Sequence, residues 1–96
     1  MDILVTYDVS TQTPEGRRRL RRVARVCLAY GQRVQKSVFE CTVTDVQLAA
    51  LRARLVRCIH EQEDSLRIYR LPWGREKLVE SFGIDQYVDF EEPLVV

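Results

Sequence analysis

Arg33-Val34-Gln35-Lys36-Ser37-Val38-Phe39-Glu40-Cys41-Thr42-Val43 is rich in β-formers but out of phase with itself. Val34 and Val38 keep one parity, whereas Phe39, Cys41 and Val43 keep the other. Side chains alternate strictly along a strand, so one strand cannot hold both sets on a buried face. A bulge or tight turn near Lys36-Ser37 accounts for the slip and yields two short strands. Without glycine, that turn is not an ideal two-residue primed hairpin. The slip also aims Gln35, Lys36 and Ser37 at a rim.

Helical segments flank this pair. Upstream, Thr13 is a good N-cap, Pro14 suits the first helical position and Glu15 favours the positive end of the helix dipole. Leu20, Val23, Ala24, Cys27 and Leu28 form one stripe at helical spacing, and Gly31 supplies a stop, so the helix is expected from Pro14 to Tyr30. Downstream, Thr44 and Gln47 have capping-box spacing ahead of a second stripe, Leu48, Leu51, Leu55, Cys58 and Ile59. His60, the only histidine, reads as a solvated helix-end residue.

Ile3 to Tyr7 is an apolar strand that closes on Asp8, and Leu66 to Leu71 is another, ended by the turn-forming Pro72-Trp73-Gly74. Trp73 has two readings: a base-stacking or partner-anchoring loop residue, or part of the core. Leu78 to Phe82 reads as a further short strand. The order is βαββαβ with late additions, an α+β ferredoxin-like plan in which an antiparallel sheet carries both helices on one face. Residues 1–82 form that domain. Residues 83–96, acidic and apolar by turns, read as an extra C-terminal strand segment docking on the sheet or on a partner. The sheet's other face is then bare although Leu4 points to it, which predicts a homodimer packed sheet to sheet.

The chain is short, at 96 residues, and suits a single core. It has no 18-residue apolar run and no signal-peptide pattern, and so reads as soluble and cytoplasmic, away from membranes. Cys27, Cys41 and Cys58 form neither a CxxC pair nor an even set, and read as buried free thiols. The net charge of +1 hides an asymmetry. Residues 1–60 carry 11 Lys and Arg against 5 Asp and Glu, net +6; residues 61–96 carry 4 against 9, net −5. A phosphate-binding face beside a separate acidic region gives this pattern.

The basic charge concentrates on the first helix. Arg18, Arg22 and Arg25 stand opposite its apolar stripe, flanked by Arg21, with Arg17 and Arg19 near the N-terminal end. The like-charge pairs Arg18/Arg22 and Arg21/Arg25 are each unfavourable by about 0.2–0.5 kcal/mol. Phosphate binding is the reading that offsets this, against that of an ordinary solvated face. Asp8 likewise has two readings, a turn former at a strand end or an acid placed for phosphodiester chemistry.

Tyr7-Asp8-Val9-Ser10, the Arg-Arg-Leu-Arg-Arg helix running to Tyr30-Gly31, and Arg33 to Glu40 together resemble the CRISPR-associated protein two family over nearly the whole chain. The resemblance implies a ferredoxin-like homodimer that joins an integrase, CRISPR-associated protein one, to capture invader DNA as new spacers. It also implies magnesium-dependent endonuclease activity on RNA or double-stranded DNA. In that picture Asp8 is the ligand of Mg²⁺ or another divalent metal, with Tyr7 beside it in the catalytic site. Arg18, Arg19, Arg22 and Arg33 contact phosphates, and Ser37 and Phe39 line the site. Arg25 and Lys36 extend the nucleic-acid-binding set. Position 36 departs from the family's pattern, where an aromatic is common. One Asp8 per chain is a poor Mg²⁺ site, and two facing across a two-fold axis would make a better one. Glu40 is a candidate second acid. Two alternatives share the fold, a toxin-type ribonuclease and a ferredoxin-like regulatory dimer that binds a small molecule.

Overall fold

The computed structural model describes residues 1–84. Its elements are β1 (Asp2–Asp8), α1 (Pro14–Leu28), β2 (Gly31–Gln35), β3 (Val38–Thr42), α2 (Asp45–Cys58), β4 (Ser65–Leu71) and a single turn, α3 (Arg75–Leu78). The sheet runs β2-β3-β1-β4, antiparallel at every junction. This is the ferredoxin-like α+β arrangement expected from the βαββαβ order. The phase slip falls where the sequence placed it: β2 and β3 meet through Lys36-Ser37, and their register shifts between Arg33 and Gln35.

Alternation along the two central strands builds the core. Ile3, Val5 and Tyr7 of β1 and Phe39 and Cys41 of β3 turn to one face. There they meet Val23, Val26 and Cys27 of α1 and Leu48, Leu51, Leu55 and Cys58 of α2. All three cysteines are buried free thiols. Burial pushes the Cys27 thiol up to about 12, with the nearby Cys41 and Cys58 adding to the shift. Both predicted caps are present. The Thr13 hydroxyl accepts from the Gly16 N–H at 3.0 Å, and Thr44 and Gln47 close a reciprocal capping box.

Several expectations need correction. Helix α1 ends at Leu28, two residues early, because the Ala29 and Tyr30 N–H groups turn back to the Val26 and Cys27 carbonyls and tighten the last turn. Gly31 is not a left-handed stop; it opens β2, where a Cβ would run into the Glu40 carbonyl and the Cys41 side chain. The α1 stripe is rotated from the expected one. Val26 turns inward towards α2, and Leu28 lies 46% exposed. Leu78 to Phe82 forms no strand: Leu78 closes α3, and residues 79–82 belong to neither helix nor strand. Trp73 is exposed on its turn rather than packed in the core. The expected strand over 83–96 lies, from residue 85 onward, outside the described residues. Among the described residues no helix is long and apolar enough to cross a membrane.

Candidate nucleic-acid and metal site

The pleat of β1 sorts its residues between two environments. Ile3, Val5 and Tyr7 face the helices, so Leu4, Thr6 and Asp8 face the opposite side, which neither α1 nor α2 covers. Across that side the register aligns Glu40, Leu4 and Tyr69 in one row and Val38, Thr6 and Arg67 in the next. Arg67 Nη1 donates to the Tyr69 hydroxyl at 2.9 Å, tying two neighbours on the surface of β4. Asp8, opposite Ser65, ends the strand exposed to solvent.

Tyr7 and Asp8, adjacent in sequence, therefore point to opposite faces. Tyr7 is 6% exposed and its ring stacks on Phe39, with centroids 6.1 Å apart and planes at 25°. Phe39 is fully buried, and the Arg33 guanidinium sits 5.2 Å from its ring centroid. These three form a packed unit behind the sheet surface that carries Asp8. The connection to Asp8 runs through the backbone: the Tyr7 N–H donates to the Ser37 carbonyl at 3.1 Å. That bond brings the Lys36-Ser37 turn to the same end of the sheet as Asp8, with Lys36 exposed on it. Glu40, opposite Leu4, stands four residues back along β1 from Asp8, about 13 Å at strand spacing. It cannot complete a metal site with Asp8 of its own chain.

The loop that follows Asp8 is held by a residue the sequence did not single out. Asp64, its side chain wholly shielded from solvent, accepts from the Ser10 N–H at 3.1 Å and the His60 N–H at 2.8 Å. Arg19 Nε donates to the same carboxylate at 2.8 Å and Nη2 at 3.4 Å, while Nη2 also reaches Glu63 at 3.5 Å. Burial alone would raise the Asp64 pKa, but Arg19 and the two N–H donors outweigh it and hold the group below its ordinary value. The same contacts raise Arg19 above its ordinary value, with the hydrogen bond to Asp64 the largest cause. The Arg19 side chain is only 14% exposed. Its guanidinium ties the start of α1 to the segment between α2 and β4. In sequence, Glu61, Glu63 and Asp64 read as one acidic turn, and nothing in their spacing separates the shielded acid from its exposed neighbours. Gly16 completes the fit, since a Cβ there would collide with the Ser10 carbonyl.

The remaining arginines divide. Arg17 Nη1 donates to the Thr11 carbonyl at 3.1 Å, and Arg18 pairs with Glu15 at 3.3 Å, both in the open. Arg22 and Arg25 stand farther along α1, beside α2. Among the described residues no group of three or more His, Cys, Asp or Glu side chains is placed to hold a metal ion. Among the described residues, the end of β1 thus offers a divalent cation one exposed carboxylate, Asp8. That suits Mg²⁺, which keeps most of its waters, only as half of a two-carboxylate site.

Comparison with known proteins agrees with this arrangement. The family model described as CRISPR associated protein Cas2 matches residues 1–77. A Moorella thermoacetica protein named CRISPR-associated endoribonuclease Cas2 1 is 54% identical over 96 residues, the full length of both chains. A Halalkalibacterium halodurans protein named CRISPR-associated endonuclease Cas2 is 50% identical over 95 residues, 99% of each. The crystal structure of Streptococcus pyogenes Cas2 superposes with a TM-score of 0.78 at 52% identity, covering 86% of this chain and all of that one. With its ferredoxin-like fold, its open acid at the end of β1 and these relatives, the chain belongs to the CRISPR-associated protein Cas2 family.

Proposed function

We propose that this chain works as a nucleic-acid-binding homodimer of the CRISPR spacer-acquisition complex, beside the CRISPR-associated integrase, and that it hydrolyses phosphodiester bonds with Mg²⁺ or another divalent metal at Asp8. The observation that carries this reading is the placement of Asp8, an open carboxylate at the end of a central strand on a sheet face without helices. The printed names of the Moorella and Halalkalibacterium relatives, an endoribonuclease and an endonuclease, support the same chemistry.

The dimer follows from two features of that face. Leu4, Val38 and Leu71 lie only half-buried on it beside Tyr69, an apolar surface that a second copy would cover. A second copy would also supply the second carboxylate. Two Asp8 side chains, one from each protomer, would hold the ion, with water and phosphate oxygens as its other ligands. When bound, the ion would neutralise charge on the phosphodiester and make a water acidic enough to attack phosphorus. The chain's own residues have separate tasks. Asp64 fixes the Ser10 loop that follows Asp8, and Ser37 fixes the strand end through Tyr7 N–H. Lys36 and the exposed arginines of α1 add positive charge for the phosphate backbone.

Purified Asp8→Asn protein is expected to keep its dimer in sedimentation and to lose Mg²⁺-dependent cleavage of RNA and duplex DNA, as chelation does in the parent. Cleavage at the parent's rate by Asp8→Asn would refute the catalytic part. A monomer at micromolar concentration would refute the shared site.

A further inference from the structure

Strand pairing fixes which charged side chains share the face that carries Asp8. On β1 the positions are Asp2, Leu4, Thr6 and Asp8. Their cross-strand neighbours are Thr42, Glu40 and Val38 on β3 and Leu71, Tyr69, Arg67 and Ser65 on β4, while β2 adds Gln32 and Gln35 opposite Glu40 and Val38. Three of these residues are acids, and Arg67 is the one cation that the pairing places among them. Arg33 and Arg70 pair with Phe39 and Ile3, whose side chains turn to the helices, so both belong to the other side of the sheet. Arg67 is also close to Asp8. It is the next residue of β4, on the same face, after the Ser65 that stands directly opposite Asp8. Such diagonal neighbours lie about 7–8 Å apart, within reach of a long side chain.

The Arg67 side chain is exposed, and among the described residues its hydrogen-bond partner is the neutral Tyr69 hydroxyl. By contrast Arg18 is paired with Glu15, and Arg19 with Glu63 and Asp64. A guanidinium tethered by a phenol keeps its full charge, with Nε and Nη2 left to donate to an oxyanion. The chemistry proposed at Asp8 calls for that charge. An acidic face repels a phosphodiester, and two Asp8 carboxylates already cancel a divalent ion, so neither balances the substrate. In hydrolysis a water oxygen bonds to phosphorus as its proton leaves, one phosphorus–oxygen ester bond breaks, and the departing oxygen takes up a proton. Negative charge on the non-bridging oxygens grows as the fifth oxygen arrives, and a guanidinium fork binds them more tightly as it grows. We propose that Arg67 is a catalytic residue of the Asp8 site, receiving the non-bridging oxygens of the scissile phosphate, with Tyr69 as its positioning residue. The inference rests on the hydrolytic reading of Asp8. Its signal lies in the register of β4 against β1 rather than in any motif.

The test is Mg²⁺-dependent cleavage of RNA and duplex DNA by purified Arg67→Ala, Arg67→Lys, Tyr69→Phe and Arg70→Gln proteins, with melting temperature and sedimentation measured for each. Arg67→Ala is expected to lower kcat about 100-fold. Its KM is expected to rise by less than about tenfold, the effect of losing one phosphate contact at 0.1 M salt. Arg67→Lys keeps the charge without the fork and is expected to recover part of the rate. Tyr69→Phe is expected to lower kcat about fivefold, the worth of one hydrogen bond. Arg70→Gln, an equal charge loss on the same strand but on the other side of the sheet, is expected to cleave at the parent's rate. Millimolar guanidinium ion is expected to restore part of the rate of Arg67→Ala and to leave the parent unchanged, which a structural role would not produce. Cleavage at the parent's rate by Arg67→Ala, with Asp8→Asn inactive, would refute the role of Arg67 and leave that of Asp8 standing. A loss confined to KM would assign Arg67 to substrate binding alone and overturn the catalytic role. Loss of the dimer in both Arg67 variants would assign the residue to the contact between copies and overturn it likewise, whereas a parent that cleaves neither substrate would overturn this inference together with the hydrolytic reading.

Discussion

Replacing Asp64 by alanine strips one carboxylate from three donors: the Ser10 N–H, the His60 N–H and the Arg19 guanidinium. The part-buried Ser10 and Arg19 donors each cost about 1 kcal/mol when left without their acceptor, whereas the exposed His60 N–H turns to water, so the loss is about 2 kcal/mol in all. For a domain of this size that corresponds to a fall in melting temperature of roughly 8–16 °C. The assay is thermal unfolding by far-ultraviolet circular dichroism at pH 7, repeated in acid. The pH arm has a definite sign. The folded protein holds Asp64 below its ordinary value of 3.8, so the charged contribution is fully present above that value and is lost as pH falls through the lower folded one. The gap between parent and Asp64→Ala is therefore expected to stay constant from pH 7 to about 5 and to narrow below about 4. A variant that melts within about 3 °C of the parent at pH 7, or a gap that stays constant into strong acid, would refute the role given to this carboxylate.

Two other perturbations test parts of the same architecture. Phe39→Ala is expected to destabilise the fold by about 3–5 kcal/mol, read by urea unfolding, because the fully buried ring packs between Tyr7 and Arg33; any activity lost would track unfolding rather than a missing contact to substrate. Cys27 is expected to resist iodoacetamide in the native protein at pH 8 and to react once urea unfolds it, since burial places its thiol near 12; mass spectrometry of the labelled peptide reads the difference.

What could be read from the sequence depended on whether a signal was periodic. The parity change across Lys36-Ser37 placed two strands and a turn correctly because side-chain parity is a strict geometric rule. The caps at Thr13 and Thr44 were equally legible, since each needs only a hydroxyl at a fixed spacing. Leu78 to Phe82 failed for the converse reason. Five residues carry too little period to separate strand from a single helical turn, and the last four of them belong to neither helix nor strand. Helix α1 was placed correctly but rotated, because Val26 and Leu28 are alike as apolar residues and only the position of α2 decides which is covered.

The candidate site shows the same division more sharply. Arg17, Arg18 and Arg19 form one cationic run in sequence, yet helix geometry sends successive residues about 100° apart around the axis. Arg18 therefore stays in the open beside Glu15, while Arg19 turns to the segment leaving α2 and meets Asp64. One arginine remains available to a phosphate, and its neighbour holds the loop after Asp8 in place. The pleat of β1 does likewise with Tyr7 and Asp8. Adjacency made them look like partners, but period two gives Tyr7 to the core and Asp8 to the face opposite the helices, and the Tyr7 N–H anchors the strand end that carries Asp8 to Ser37. Among the described residues, Asp8 is left as one carboxylate on a face that neither α1 nor α2 covers, which is why the proposed metal site needs a second carboxylate from outside its own strand.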